Sequence, residues 1–309
     1  MGLLIVDEDK CQKDGLCAKE CPMAIILLQD KESYPELISG GEQLCNLCGH
    51  CVAVCPHGAL SHSQVPIVDC PPFQKGLVIS EEEAVQFLRS RRSIRFFKDR
   101  PVEKETIQKL IKIARYAPTA NNAQPVEWQV FTEKNKIKEL AGLSVDWMRS
   151  VLQKDPQPAF APYLPMIVAA WDAGYDVVLR DAPALIVASA PKQDANGMVD
   201  VTLALSYLEL AATAMGLGTC WAGLVQGAVL SSPQLKKELG IPENHPHHYP
   251  MMLGYPKPKY FRLPERRAPK ITWRDEFREI IFESKFRFYT FRMIASPWAR
   301  PPQMATTWF

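Results

Sequence analysis

Seven cysteines in the first 55 residues follow one ruling twice, and this constrains the chain more than any other feature. The second run is Cys45, Cys48, Cys51, Cys55 and then Pro56, a C-x2-C-x2-C-x3-C-P motif without a fault. The first run sets Cys11, Cys17, Cys21 and Pro22 on the same ruling, with Asp14 where its second cysteine belongs. Three thiolates on one short loop wrap one iron–sulfur cube, and the cysteine before proline reaches across to the other. The crossed rule gives Cys11, Asp14, Cys17 and Cys55 to a first cluster and Cys45, Cys48, Cys51 and Cys21 to a second. A zinc ion is the rival reading of a C-x2-C pair. It leaves the third and fourth cysteines and both prolines without a purpose, so two 4Fe-4S clusters are expected.

Asp14 keeps three readings open. Its carboxylate, a harder ligand than thiolate, can hold the fourth iron and release it more readily. Alternatively the cluster is 3Fe-4S with Asp14 merely nearby, or the site is degenerate. Retention of Cys11, Cys17, Cys21 and Cys55 speaks against loss, and an Asp-ligated four-iron cluster is the expectation. His50 and His57 read as neighbours of the ligands, and Cys70 as an ordinary thiol.

The chain has 309 residues, 47% of them hydrophobic, enough for two domains. A formal charge of +2 gives no electrostatic case for nucleic acid. Cysteines in metal-type spacing imply a reducing compartment, so a cytoplasmic protein is expected. The start of the chain shows no secretory pattern, and no apolar run of about 18 residues is read, so no bilayer span is expected.

Residues 1–63 form the cluster module, an internal repeat for which the clusters serve as staples. Residues 64–80, with Pro66, Pro71, Pro72 and Gly76, read as a linker. A second domain spans 81–270. Helices are expected over 82–90, 103–116, 134–152, 199–215 and 235–239, and strands over 126–132, 184–190 and 249–255. Residues 218–225 read as loop or strand. Their order fits an α+β layer fold rather than strict β-α-β alternation. Residues 271–309 carry Trp273, Phe277, Phe282, Phe286, Phe288, Tyr289, Phe291, Trp298, Trp308 and Phe309. Such a stretch needs a surface to cover. A dimer partner is favoured over a membrane, although Lys285, Arg287 and Arg292 interleave with the rings.

In the second domain Arg89, Arg91, Arg92, Ser93 and Arg95 crowd one turn. Guanidinium groups with a hydroxyl suit a phosphate, although a solvated charged face is the default. Residues 117–125, APTANNAQP, offer amides that donate and accept along the edge of a planar heterocycle, or else form an ordinary Asn-rich turn. Residues 216–223, GLGTCWAG, allow close backbone approach to something flat, or a bend packed by Trp221. Cys220 reads as a buried apolar cysteine. His245, His247 and His248, between Pro246 and Pro250, read as an exposed loop.

RRSIRFF at 91–97, RYAPTANNAQPVEW at 115–128, APALIV at 182–187, GLGTCWAG at 216–223 and LGYP at 253–256 together resemble the nitroreductase family of FMN-dependent oxidoreductases. The N-terminal part resembles bacterial two-cluster ferredoxins, and the whole is similar to the ferredoxin-fused branch of the nitroreductases. The resemblance implies a nitroreductase-like α/β sandwich binding FMN at the interface of a homodimer, behind a bacterial ferredoxin-like domain. It implies Arg91 and Ser93 on the phosphate, with Arg92 and Arg95 close to it or to the ring. Asn122 and Gln124 would meet the pyrimidine edge, and the Trp221, Ala222 and Gly223 backbone the reactive face. Arg266 and Arg267 would be further phosphate contacts. No catalytic side chain is implied, because the chemistry is the flavin's own. The implied donor is a reduced ferredoxin, or NAD(P)H. The acceptor is a small molecule: a nitroaromatic, a quinone or an activated alkene. The alternatives are a relay to a protein partner and use of flavin as a substrate.

Overall fold

The computed structural model describes residues 2–154 and 161–274. The chain forms two compact units, Met1–Leu263 and Pro264–Phe309. Of the second, residues 264–274 are described and are exposed. The aromatic run from Phe277 onward lies outside the described residues.

The cluster module is built from two similar halves. The strand β1 (Leu4–Val6) precedes the helix α1 (Leu16–Glu20), then come β2 (Ile26–Leu27), β3 (Glu36–Leu37), α2 (Gly41–Leu44), α3 (His50–Val54) and β4 (Leu60–His62). β1 pairs antiparallel with β4 and β2 with β3, so the two halves interlock. Ile25, Ile26, Val52 and Leu60 are buried between them. That core is small, as a chain segment this short must leave it. Cys70 packs against it from the following segment.

Within the same compact unit, Ser80 is the N-cap of the next helix. Its hydroxyl accepts from the Glu83 amide while the Glu83 carboxylate accepts from the Ser80 amide, a capping box. Then follow α4 (Glu81–Ser90), α5 (Lys104–Ala114), β5 (Glu127–Phe131), α6 (Lys134–Leu152), α7 (Leu164–Asp172), β6 (Ala184–Ala190), α8 (Gly197–Ala214), β7 (Gly218–Trp221), α9 (Gly223–Val229), α10 (Pro233–Glu238) and β8 (His247–Gly254). The four strands form one antiparallel sheet in the order β5-β6-β8-β7.

All seven residues of β6 are buried because helices cover both faces of the sheet. Leu185 and Val187 point to a core shared with α6, α7, α9 and α10. Ala184, Ile186, Ala188 and Ala190 point to α5 and α8. Three alanines on that face let α8 lie close. α8 is long and apolar enough to cross a bilayer by length and composition, contrary to the expectation of no such segment. Here its apolar surface packs against α5, β6 and β8, the place of a core helix.

Two elements depart from expectation. α9 forms where a loop or strand was read, because Val225, Ala228 and Val229 find a core to enter. His245 and His248 are buried rather than exposed. Ser189 Oγ lies 2.9 Å from His245 Nδ1, and Gln226 Oε1 lies 3.2 Å from His248 Nδ1. Buried imidazoles are tolerated when so partnered.

Candidate functional site

The two cysteine runs fold into matching loops. Lys13 and Gly15 flank Asp14 with φ of 55° and 70°, while Leu47 and Gly49 flank Cys48 with φ of 56° and 72°. Gly15 and Gly49 each cap the helix that follows, α1 and α3. Asp14 therefore occupies the place in its loop that Cys48 occupies in the other. Its Oδ1 accepts from the Leu16 amide at 3.0 Å, and its Oδ2 lies 3.7 Å from His57 Nε2.

The loops enclose two cavities, and the crossed assignment appears in their walls. One is lined by Cys21, Cys45, Cys48 and Cys51. The other is lined by Cys11, Asp14, Cys17 and Cys55. Among the described residues no three His, Cys, Asp or Glu side chains converge on the point a single ion would occupy. Three thiols of one loop joined by a fourth from the other are the donor set that suits an iron–sulfur cube. Burial, then the neighbouring Cys48, Cys45 and Cys21, pushes the Cys51 thiol up to about 11. Burial likewise raises Cys17. Thiols so placed become thiolates when a metal compensates them, which is the coupling an iron–sulfur site exploits. Cys55 Sγ already accepts from the Ala59 amide at 3.4 Å, and Cys45 Sγ lies 3.6 Å from His62 Nε2.

The basic turn of the second domain is placed by the sheet. The Ile94 amide donates to the Thr219 carbonyl at 2.8 Å, and Ser93 bridges Thr219 in parallel. Ser93 and Ile94 thus meet β7 at Thr219, while Phe96, Phe97 and Lys98 pair with Tyr255, Pro256 and Lys257 beyond β8. Gly218 permits this approach: a Cβ there would stand 2.2 Å from Ile94 Cγ1. The close contact that the glycines allow is therefore with the arginine segment.

Behind that contact sits Glu209 of α8, only 7% exposed. Its Oε1 accepts from Arg91 Nη1 at 3.2 Å and Thr219 Oγ1 at 3.1 Å, and its Oε2 from Trp221 Nε1 at 3.4 Å. One carboxylate therefore ties the arginine turn to β7 and to the Trp221 ring. Trp221 in turn meets Tyr249 edge-on at 5.0 Å. Burial raises the Cys220 thiol, against the pull of Arg95, Arg180 and a Ser93 hydrogen bond. Arg92 is half-buried in the same turn. Ala222 is buried and Gly223 opens α9.

Asn122 and Gln124 lie on a tight loop in which Asn121, Asn122 and Gln124 have φ of 51°, 56° and 49°. Such left-handed backbone away from glycine gathers at functional sites. The Asn122 amide donates to the carbonyls of Asn46 and Leu47, at 3.0 and 3.1 Å. Arg266 and Arg267 fall in the second unit and are exposed. Two site residues escape sequence reasoning. Glu209 is one of two carboxylates, with Asp200, in the otherwise apolar α8, and that is the signal it leaves. Arg180, with φ of 61° just before a buried strand, left no signal in the sequence.

A guanidinium–hydroxyl turn against a glycine-opened strand offers phosphate contacts and the amide loop offers heterocycle contacts, so these residues fit a flavin mononucleotide. Comparisons with known proteins agree. Residues 88–255 match the Nitroreductase family and residues 9–59 a 4Fe-4S dicluster domain. A protein of Archaeoglobus fulgidus with the provisional name NADH dehydrogenase/NAD(P)H nitroreductase is 29% identical over 180 residues, 57% of this chain and 87% of that one. The FMN reductase [NAD(P)H] of Bacillus subtilis is 32% identical over 148 residues, 47% of this chain and 55% of its own. In fold, the FMN-bound nitroreductase of Bacteroides fragilis superposes with a TM-score of 0.51 at 21% identity, over 62% of this chain and 98% of that one. The chain belongs to the nitroreductase family of FMN-dependent oxidoreductases and carries a 4Fe-4S dicluster domain at its N-terminal side.

Proposed function

We propose that the chain takes single electrons from a reduced ferredoxin-type carrier, collects them on two clusters and delivers them to FMN for reduction of a small acceptor. The observation behind this reading is the pair of crossed cavities lying in one compact unit with the arginine–β7 site. Bound FMN would supply the step from one-electron to two-electron chemistry. Arg91 and Ser93 would hold its phosphate, with Arg92 and Arg95 near it. Gln124 and Asn122 would face the pyrimidine edge, and the Trp221–Gly223 backbone the reactive face. Arg266 and Arg267 are further phosphate candidates. Asp14 would be the fourth ligand of the first cluster. A nitroaromatic, a quinone or an activated alkene would be the acceptor.

We place the protein in the reducing cytoplasm, where its thiols survive. A second copy of the chain is its expected partner. Val85 and Leu88 of α4 are exposed, and none of that helix is buried within one chain. Anaerobic purification tests the reading. Iron for two clusters and a flavin spectrum should be present, and reduced ferredoxin should drive turnover of at least one acceptor class. NAD(P)H, which appears in the names of relatives, is the control donor. Colourless protein after reconstitution would sink the proposal. Rapid reduction of a partner protein without small-molecule turnover would replace it with a relay.

A further inference from the structure

The linker does not fix the cluster module to the flavin domain. Phe73, Leu77, Val78 and Ile79 are exposed along it. The module is instead met by the amide loop. Asn122 Nδ2 donates to the Asn46 and Leu47 carbonyls, the two residues between the ligands Cys45 and Cys48. Leu47 and Asn122 each hold a left-handed backbone. The Gln124 amide closes the amide loop on Thr119 Oγ1 at 3.0 Å, and Asp200 of α8 accepts from the Ala120 amide behind it. Asp14 lines the other cavity.

We propose that Asn122 is the docking residue that seats the second cluster against the flavin loop, so that this cluster makes the final transfer and the Asp14 cluster receives electrons from outside. The inference rests on the function proposed above. Each passage moves one electron. With the groups bound, the ferredoxin-type carrier would be oxidised as the cluster held by Cys11, Asp14, Cys17 and Cys55 is reduced, that cluster would be reoxidised by the one held by Cys21, Cys45, Cys48 and Cys51, and the latter by the flavin. Two such passages, with two protons from solvent, would balance the two-electron reduction.

The test uses holoprotein carrying Asn122→Asp, which keeps the shape but sets carboxylate oxygens against two carbonyls, and Asn122→Ala. Dithionite serves as one-electron donor. Hydrogen exchange reads the 45–49 and 119–124 amides, and rapid mixing reads cluster and flavin reduction separately. Loss of both hydrogen bonds should lower the docked fraction, and with it the flavin reduction rate, about tenfold. Exchange over 45–49 should rise while both cluster signals persist, and the flavin reduction rate is read per bound FMN. Asp14→Cys should change the first cluster's signal and leave exchange over 45–49 at its native level. Native exchange with native flavin reduction in both Asn122 variants would overturn the proposal. So would loss of FMN with unchanged exchange over 45–49, which would make Asn122 a flavin contact only. Native protein lacking iron and flavin would overturn the functional reading instead, and the exchange measurement would still decide the docking.

Discussion

Removing the Glu209 carboxylate tests whether one buried group organises the arginine turn. In Glu209→Ala, Arg91 loses its ionic partner and Thr219 and Trp221 lose their acceptors. Deleting one member of a buried ion pair costs about 3–5 kcal/mol. The Arg91 side chain is 22% exposed, so water recovers part of that. A net loss of about 3 kcal/mol is expected once the buried Thr219 hydroxyl is included. Glu209→Gln keeps an oxygen for Arg91 and Thr219 but turns its amide toward Trp221, whose 3.4 Å bond is the longest of the three. Its cost should be about 1–2 kcal/mol. Thermal unfolding of the FMN-loaded protein reads the first effect. Flavin titration of the apoprotein reads the second, because an unanchored Arg91 should weaken FMN binding about tenfold. The reasoning fails if the alanine variant melts with the native protein, or if glutamine is as damaging as alanine.

Three further outcomes are expected. Asp14→Cys should alter the reduced-state EPR spectrum and slow iron loss from the first cluster, and an unchanged spectrum and iron count would remove Asp14 as a ligand. Gly218→Ala would drive a methyl into Ile94 and Pro256, so stability should fall by about 1–3 kcal/mol with weakened FMN affinity, read by melting and flavin titration. Burial, and then the charges of Lys236 and His247, hold His248 down to about 4. A free histidine titrates near 6.5, so the unfolded chain takes up a proton first as the medium acidifies. Stability is therefore whole above pH 6.5 and falls by about 3 kcal/mol on the way to pH 4, a slope in urea midpoints that His248→Gln should remove.

What the sequence makes legible is what local spacing determines. The expected bounds of the helix at 134–152 and the strand at 184–190 coincide with α6 and β6. One has a full amphipathic period and the other an unbroken apolar run. The crossed lining of the two cavities is legible for the same reason, because each loop dictates its own half of both. α9 is short and flanked by glycine and α7 has Pro165 in its first turn, so neither announces itself. The histidines mislead because prolines beside them suggest a surface turn. Ser189 and Gln226, which make their burial tolerable, lie 56 and 22 residues away in the chain.

The same division runs through the site. RRSIRFF and GLGTCWAG are readable as motifs, but not the reason they belong together, which is Gly218 giving room to Ile94 and Glu209 gathering Arg91, Thr219 and Trp221. Asn122 shows the limit most clearly. From the sequence its amide has every reason to face a heterocycle, because it shares a loop with Gln124. In the fold its two donors are directed at carbonyls 75 and 76 residues earlier, within the loop that carries Cys45 and Cys48. A side chain with two N–H groups can satisfy two backbone acceptors or share them with a ligand. Which it does is decided by a tertiary contact that no local pattern encodes.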